Sequence, residues 1–370
     1  MPSSYSGRTE TLKKNVAWLT SLPSPYWMPI WNHLADDYNL NLFFTNSGNN
    51  ERLWKVQESP VWSYHIFSKL IFHFGEAQII PSPWGFIRIC KKADILVIGG
   101  GWEVPIHVVT MIYARLRKID VYIIAESVLE SHRFNGSVVR KIRFLVFSLA
   151  TKVISVGGKS TIAVRATGIK EDKITQLFNP VNVNFFNVRN EKKNGAPTQG
   201  HRFLAVGRLL ERKNFASIIL SFRNIATPSD LLTIAGDGPL RGALESLVAE
   251  LGLGRQVVFA GYLDQNEVAK LYSESCTLVL ASTNEVWGMV ATEALASGCH
   301  VVVSDKCGVS DFIASMDGTY ISGTDQESIS KCMEKSRLEY EGPITYPQIL
   351  EYTPKKFTTD LIKVFNKNNI

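Results

Sequence analysis

The chain has 370 residues, 45% hydrophobic and 20% charged, which suits two globular domains and excludes a disordered protein. Its net charge of +6 is uneven, because residues 1–190 carry 22 Lys and Arg against 13 Asp and Glu. Five cysteines without a Cys-x-x-Cys pair argue against a zinc site, and a polar N-terminus argues against a signal peptide. Glu103 and Pro105 interrupt the longest apolar stretch, so we expect no membrane span. The cysteine usage fits a reducing cytosol, so we expect a cytoplasmic protein.

The first half of the chain alternates predicted strands and helices, which is typical of a parallel sheet covered by helices. The predicted strands are 15–19, 40–44, 94–99, 121–125 and 153–156, and the predicted helices are 29–34 and 137–151. Between the first strand and the first helix lies a loop stiffened by Pro23 and Pro25, which ends in Tyr26. Open parallel sheets bind ligands at this kind of position.

Two glycine-rich segments are incomplete matches to nucleotide-binding motifs. The triplet before Trp102 lacks the third glycine of a dinucleotide fingerprint, because position 104 is Val. The segment Gly157-Gly158-Lys159-Ser160 lacks the first glycine of a P-loop, because position 153 is Val. We expect neither segment to be a phosphate loop.

Two stretches of the first half combine apolar and basic residues. Residues 64–92 alternate aromatic, aliphatic and basic side chains, and helix 137–151 repeats apolar residues at helical spacing beside Arg140, Lys141 and Arg143. We expect both stretches to pack the first core. The alternative is a surface that touches an anionic membrane, where aromatic residues and bases are favoured together.

The segment 189–200 is polar and contains Pro and Gly, which is typical of a linker. After it, strands are predicted at 203–206, 231–235, 257–261, 277–280 and 299–305, and helices at 289–297 and 354–370. The second half therefore forms its own alternating α/β unit.

The stretch from Glu285 to Glu293 connects a predicted strand to a predicted helix and carries the clearest chemistry in the chain. Helix N-termini leave backbone N–H groups unpaired and attract phosphate, and Gly288 has no side chain to block Met289 and Val290. The two carboxylates accept hydrogen bonds, which suits them to sugar hydroxyls. One phosphate site between two hydroxyl acceptors indicates a nucleotide-sugar site.

Two cations precede this stretch. Arg208 follows Gly207 at the end of a predicted strand, and Lys213 comes five residues later. Arg binds forked oxygens bidentately, while Lys acts as a point charge, so together they suit a diphosphate.

At these residues the chain resembles the retaining glycosyltransferases of family 4. Their signature is Glu, seven residues and Glu with an aromatic-Gly pair between, and Trp287-Gly288 fills that position. The Gly-Arg-Leu at 207–209, the Gly-x-Gly-Pro turn that begins at Gly236 and the Val-x-Phe-x-Gly strand that ends at Gly261 also resemble this family. The resemblance is specific from about 203 to 318 and weak before 150.

The resemblance implies the GT-B fold, in which two doubly wound, Rossmann-like parallel-sheet α/β domains face each other across a cleft. Residues 1–188 would form the acceptor-side domain, 189–200 the linker and 201–345 the domain that binds the nucleotide sugar. Residues 346–370 would form a terminal helix that crosses back to the first domain.

By the same resemblance, Glu285 holds hydroxyls of the transferred sugar and Glu293 holds the ribose. The predicted catalytic residues are Glu285, Arg208, Lys213 and Glu126, the last standing where the family commonly has a histidine. The predicted donor-binding residues are Gly207, Arg208, Lys213, Gly236, Gly261, Glu285, Gly288, Met289, Val290 and Glu293. The predicted acceptor-side residues are Pro23, Tyr26, Trp102 and His132.

The predicted reaction moves a hexose-type sugar from a UDP- or GDP-sugar to a glycan or lipid-linked acceptor, with retention, in cell-surface polysaccharide or glycolipid synthesis. No Asp-x-Asp motif is present, so we expect no metal and no cofactor, and the basic half suggests a peripheral site on the inner face of the membrane. The alternatives are a sugar-nucleotide epimerase of the same fold and a degenerate scaffold subunit. Nucleic-acid binding lacks any supporting signature.

Overall fold

The computed structural model describes residues 13–45, 59–67, 72–74, 77–79, 84–102, 104–129, 136–187 and 200–367. Within them lie a seven-stranded sheet, a six-stranded sheet and a separate two-stranded pair. The predicted two α/β parallel-sheet domains are confirmed. Among the described helices, none has the length and apolar character needed to cross a membrane.

The elements of the first half follow the predicted order of strands and helices. They are β1 (Asn15–Thr20), α1 (Met28–Ala35), β2 (Asn39–Phe44), β3 (Ser63–Ile66), β4 (Phe72–Phe74), β5 (Ala77–Ile79), α2 (Gly85–Cys90), β6 (Ile95–Gly99), α3 (Pro105–Leu116), β7 (Asp120–Ala125), α4 (Ser137–Ser148), β8 (Lys152–Val156), α5 (Gly158–Arg165), β9 (Ile174–Leu177) and α6 (Val183–Asn187).

The second half continues the same alternation of strands and helices. Its elements are β10 (Arg202–Val206), α7 (Phe215–Ile225), β11 (Leu231–Ala235), α8 (Arg241–Glu250), β12 (Val257–Gly261), α9 (Gln265–Glu274), β13 (Thr277–Leu280), α10 (Met289–Ala296), β14 (His300–Ser304), α11 (Ser310–Ile313), β15 (Thr319–Ser322), α12 (Gln326–Leu338) and α13 (Pro354–Asn366).

Strand order explains where each sheet leaves room for a ligand. The first sheet runs β3-β2-β1-β6-β7-β8-β9 and the second runs β12-β11-β10-β13-β14-β15. The direction of winding reverses between β1 and β6 in the first sheet and between β10 and β13 in the second. Loops on either side of such a reversal diverge, so a crevice forms at the carboxyl ends of the strands.

The chain packs into two compact units. The first contains the described residues of 1–124, 140–154 and 171–173, and the second contains those of 125–139, 155–170 and 174–370. The first unit buries Trp18 and Trp31 completely, with ring centroids 6.2 Å apart. In the second unit Phe203 and Phe222 pack edge to face at 5.9 Å within a core of aliphatic side chains.

Helix α4 exposes part of its predicted apolar stripe to solvent. The prediction placed residues of 137–151 at helical spacing against the core, but Val138 is 68% exposed and Leu145 is 63% exposed. The buried face instead contains Arg143, Val146 and Phe147. Arg143 is accommodated there because its guanidinium lies over the Trp102 ring, 5.0 Å from the centroid. Core packing therefore explains Val146 but not the exposed residues of the stripe.

Candidate functional site

Three glycines stand side by side at the carboxyl edge of the second sheet. Gly261 ends β12, while Gly236 and Gly207 follow the neighbouring strands β11 and β10. Main-chain hydrogen bonds continue past the strand ends, from the Gly207 nitrogen to the Ala235 oxygen at 2.9 Å and from the Gly236 nitrogen to the Gly261 oxygen at 2.7 Å. This edge therefore presents backbone without side chains.

Two of the turns at this edge approach each other so closely that only glycine fits. Gly236 has a φ of +135°, and a Cβ atom there would lie 1.9 Å from the Gly207 carbonyl oxygen. A Cβ atom at Gly238 would lie 2.6 Å from the Leu209 oxygen. Gly236 thus has a structural reason to be glycine, and its contact with a nucleotide stays a prediction.

Lys213 and Glu285 form an ion pair at the same edge, although 72 residues separate them. Lys213 ends the 3₁₀ turn Glu211–Lys213, and Glu285 lies in the loop after β13. The Lys213 ammonium donates to the Glu285 carboxylate, and the two side chains are only 14% and 15% exposed. A half-buried pair of this kind is held in place more firmly than a surface pair, because solvent screens it less.

Backbone contacts fix the distance between the two loops. The Thr283 nitrogen donates to the Arg212 oxygen at 2.8 Å, and the Arg212 guanidinium lies 3.8 Å from the Glu285 carboxylate. Asn214, in the left-handed region at φ 59°, donates from its side-chain amide to the Ala281 oxygen at 3.2 Å. Two basic side chains therefore reach Glu285. Arg208 lies on the neighbouring exposed turn.

The loop that carries Glu285 is held from its other side by the turn after β14. The Gly308 backbone nitrogen donates to the main-chain carbonyl oxygen of Glu285 at 2.9 Å. The Lys159 ammonium donates to the carbonyl oxygens of Asp305 and Cys307, the latter at 2.8 Å. The lysine of the incomplete P-loop match therefore holds this turn.

Helix α10 begins beside Glu285 with the geometry that a phosphate site needs. Gly288 precedes the helix at φ +105°, and a Cβ atom there would lie 2.8 Å from the Leu280 side chain. The N–H groups of Met289 and Val290 have no hydrogen-bond acceptor within the described residues. No acidic side chain lies in the first turn, so the positive end of the helix dipole is not neutralised there. Trp287, by contrast, is buried and packs against Gly157.

Glu293 lies inside the protein, one turn into α10. It is 5% exposed, and the Tyr272 hydroxyl donates to its carboxylate at 2.9 Å. Burial raises the pKa of Glu293 to about 7, although the Tyr272 hydrogen bond opposes this shift. The carboxyl group is thus partly protonated near neutral pH, and its contact with a ribose stays a prediction.

The predicted residues of the first half lie at the carboxyl ends of their strands. Pro23 is buried and Tyr26 is exposed in the loop after β1, and Trp102 follows β6. Glu126 directly follows β7 and is partly exposed, and burial raises the pKa of its carboxyl group. His132 lies outside the described residues.

Sequence reasoning missed three residues that shape this site. Arg212 could have been predicted from the sequence, because it stands beside Lys213 in a basic segment. Tyr272 and Lys159 could not, because each meets its partner only after folding.

Comparison with known proteins finds a family to which the second half of the chain is similar. Residues 187–344 match the model of the family described as glycosyl transferases group 1. An uncharacterized glycosyltransferase of Methanocaldococcus jannaschii is 32% identical over 43% of this chain and 44% of its own length. The O-antigen chain mannosyltransferase RfbU of Salmonella typhimurium is 32% identical over 41% of each chain. The chain thus spans less than half of the length of these relatives.

Similarity of fold extends over nearly the whole chain. The solved structure of Anabaena HepE in complex with UDP covers 96% of this chain and 100% of its own, with a TM-score of 0.74 and 14% identity. This likeness identifies the GT-B fold for the chain.

Substituting Gly236 by Ala will unfold the second unit or destabilise it by about 3 kcal/mol or more, because the methyl group would overlap the Gly207 carbonyl oxygen. Urea denaturation measures this change. Gly242→Ala is the matched control, since a Cβ atom there meets nothing within 4 Å and helix α8 favours Ala. Equal stability of the two variants would contradict the close approach.

Glu293→Gln will remove a pH dependence of stability. The folded-state pKa of about 7 lies above the usual 4.5, so the folded state binds more protons and wild-type stability falls as pH rises from 4.5 to 7. This group contributes about 3 kcal/mol to that fall. The Gln amide oxygen still accepts from Tyr272 but does not titrate.

Urea unfolding at pH 4.5 and at pH 8 measures the difference between wild type and Glu293→Gln. We expect the variant to gain stability relative to wild type at pH 8. The control is Glu274→Gln, whose side chain is 47% exposed on α9. A difference that is the same at both pH values would disprove the raised pKa.

Proposed function

We propose that the chain transfers a hexose-type sugar from a nucleotide sugar to a glycan or lipid-linked acceptor. The match of residues 187–344 to the glycosyl transferases group 1 model supports this proposal. The observation that carries this proposal is the Lys213–Glu285 pair beside the unpaired N–H groups at the start of α10. The cations and N–H groups there can bind phosphate oxygens, and the carboxylate can accept hydrogen bonds from hydroxyl groups. A sugar diphosphate supplies both the phosphate oxygens and the hydroxyl groups.

The proposed donor lies with its diphosphate along the glycine turns and the N-terminus of α10. Departure of the diphosphate gives the anomeric carbon oxocarbenium character and adds negative charge to the leaving phosphate. Arg208, Lys213 and the N–H groups of Met289 and Val290 would stabilise that charge. Glu285 would hold hydroxyls of the sugar, and Glu293 those of the ribose.

The nucleotide is proposed to be UDP or GDP. Anabaena HepE, which has the same fold, is solved in complex with UDP and with UDP-glucose, which supports UDP. The proposed ribose partner, the buried Glu293, does not distinguish the bases, so both nucleotides belong in the test.

The acceptor is proposed to bind in the first half of the chain. The carboxyl ends of β1, β6 and β7 bring forward Pro23, Tyr26, Trp102 and Glu126, and His132 belongs to the same proposed set. The raised pKa of Glu126 suits a carboxyl group that exchanges a proton with a hydroxyl. O-antigen synthesis by a relative supports a role in polysaccharide or glycolipid synthesis.

An anionic membrane surface is a further proposed partner, as a peripheral contact on the inner leaflet. Helices α2, α3 and α4 contain no Asp or Glu, and each exposes apolar side chains. The most exposed are Trp84, Leu116, Val138 and Leu145. Bases beside apolar groups favour a surface with anionic headgroups.

Binding of the donor is tested by thermal denaturation of the full chain with UDP, GDP and their glucose and mannose derivatives. A ligand at about 100 times its Kd stabilises the folded state by roughly 2.7 kcal/mol, which raises Tm by about 5 °C or more. Lys213→Met will strongly reduce this rise, because it removes one of the two proposed diphosphate cations. Lys270→Met, at an exposed lysine of α9, is the matched control. No rise with any nucleotide would refute the proposal.

Glu285→Gln will lower turnover about 100-fold while changing donor affinity less than about threefold, because its hydroxyl contacts strengthen as the sugar ring flattens. Transfer kinetics and donor titration measure the two quantities. Glu274→Gln serves as the control. Equal loss of turnover and affinity would show that Glu285 only binds the donor.

The same assay tests two further features of the proposal. The reaction is proposed to need no metal or cofactor and to retain the anomeric configuration, with the leaving phosphate helping to take the acceptor proton. We expect the rate to be unchanged by EDTA, and NMR to find the donor's anomeric configuration in the product. Loss of activity that manganese restores, or an inverted product, would contradict these features.

A further inference from the structure

A cavity of about 360 Å³ lies in the first unit, on one face of β1, β2 and β3. We call it the amino-edge cavity, because it is bounded by the first residue of β1, the first residue of β3 and the turn before β6. Its polar and charged lining residues include Asn15, Asn41, Ser63, Arg88, Lys91 and Lys92. The carboxyl ends of the same strands, where the acceptor is proposed to bind, lie at the other edge of this sheet.

The sheet face that forms the floor of the cavity carries polar side chains, among them Asn41 and Ser63. In the strand register Asn41 lies beside both Ala17 and Ser63, so the side chains of these three residues share one face. Ser63 donates to the Asn41 side-chain oxygen at 2.6 Å, which leaves the Asn41 amide hydrogens directed elsewhere. A sheet face that packs under a helix is normally apolar, so this face is suited to a polar occupant.

Cations form the wall of the cavity. Arg88 lies in α2, and Lys91 and Lys92 directly follow that helix. Within the described residues, none of the three has a carboxylate at ion-pair distance. The nearby Asp94 carboxylate accepts from the Asn15 nitrogen at 2.7 Å and from its side-chain amide at 3.0 Å. Positive charge therefore exceeds negative charge at this cavity.

His65 also lines the cavity, and the positive charge of Arg88 acts on its pKa. Burial lowers the pKa of His65, and the positive charge of Arg88 lowers it further. The imidazole is therefore neutral near pH 7. It adds one hydrogen-bonding group without adding an acidic partner for the three cations.

We propose that the amino-edge cavity binds a phosphate ester through Arg88, Lys91 and Lys92. Arg88 would grip two phosphate oxygens bidentately, the lysines would contribute point charges, and the amide of Asn41 would donate to a third oxygen. This site is separate from the proposed transfer reaction and does not depend on it.

Two sources could supply such an ester. One is a soluble sugar phosphate or glycerol phosphate, and the other is the headgroup of a membrane lipid. Trp84 and Ile87 are exposed one helical turn before Arg88 and Lys91, respectively, so apolar side chains stand on the same sides of α2 as the cations. Acyl chains beside a headgroup would contact such side chains.

The test titrates the full chain with sn-glycerol 3-phosphate by calorimetry. In parallel, the chain is sedimented with phosphatidylcholine vesicles that contain or lack phosphatidylglycerol. Arg88→Gln/Lys91→Gln will weaken binding about tenfold or more, since it removes two charge-assisted contacts. Arg223→Gln/Arg255→Gln, which removes the same charge from exposed positions of the second unit, will leave binding unchanged.

A third variant separates a built site from net charge. Asn41→Leu keeps every charge but removes the amide donor and fills the floor of the cavity, so we expect it to weaken binding as well. If Arg88→Gln/Lys91→Gln fails to fold by circular dichroism, Lys91→Gln/Lys92→Gln replaces it.

Saturable binding of glycerol phosphate that only the cavity variants weaken supports a soluble ester. Loss of sedimentation with phosphatidylglycerol vesicles in the same variants supports a lipid headgroup. The proposal is overturned if neither probe binds, or if the cavity and control variants lose binding equally. Full binding by Asn41→Leu would also overturn it. Because no readout uses sugar transfer, failure here leaves the transferase proposal untouched.

Discussion

A close backbone approach at the carboxyl edge of the second sheet governs how that edge is built. The Gly207 carbonyl oxygen occupies the place where a side chain at Gly236 would begin, so the two turns interlock. Interlocking removes side chains from the edge and brings the turn that carries Arg208 and Lys213 against the sheet. Every role proposed for the donor site requires this bare backbone, because a diphosphate must approach N–H groups closely.

The charges of the donor site depend on a second constraint. The 3₁₀ turn that carries Lys213 is hydrogen-bonded to the loop after β13, which carries Glu285. Backbone and amide hydrogen bonds from Thr283 and Asn214 hold these segments together. The Lys213–Glu285 pair is therefore positioned by the main chain as well as by its own attraction. A donor phosphate that shares Lys213 would release Glu285 to accept sugar hydroxyls without moving either loop. Preorganisation of this kind lowers the cost of reaching the transition state.

Periodicity was enough to predict the regular elements of this chain. Strands β11, β12 and β13 begin and end where their apolar runs do. Of the three, β13 is buried along its whole length, as expected of a parallel strand that is covered on both faces. The strand, loop and helix around Glu285 were predicted for the same reason. Helix α4 shows the limit of the method, because periodicity reveals an apolar stripe but not whether the stripe faces the core or a partner outside the chain.

The contacts within the site were beyond prediction, because they join distant parts of the sequence. No sequence pattern near Glu293 predicts its hydrogen bond with Tyr272. The raised pKa of Glu293 results from burial, which only the fold creates. Lys159 stands in a glycine-rich segment that resembles a phosphate loop, yet it holds carbonyl oxygens of the turn after β14. Motif spacing identified candidate site residues, but only the packing of the fold determined which residues they contact.

Hydrogen exchange of the full chain with and without UDP tests most directly whether the carboxyl edge of the second sheet binds the diphosphate. Mass spectrometry of peptides that cover 203–214, 232–240 and 281–292 will find slower exchange in all three when UDP is bound, because the ligand occupies the N–H groups of the turns and of α10. Protection confined to other peptides, with these three unchanged, would contradict the account.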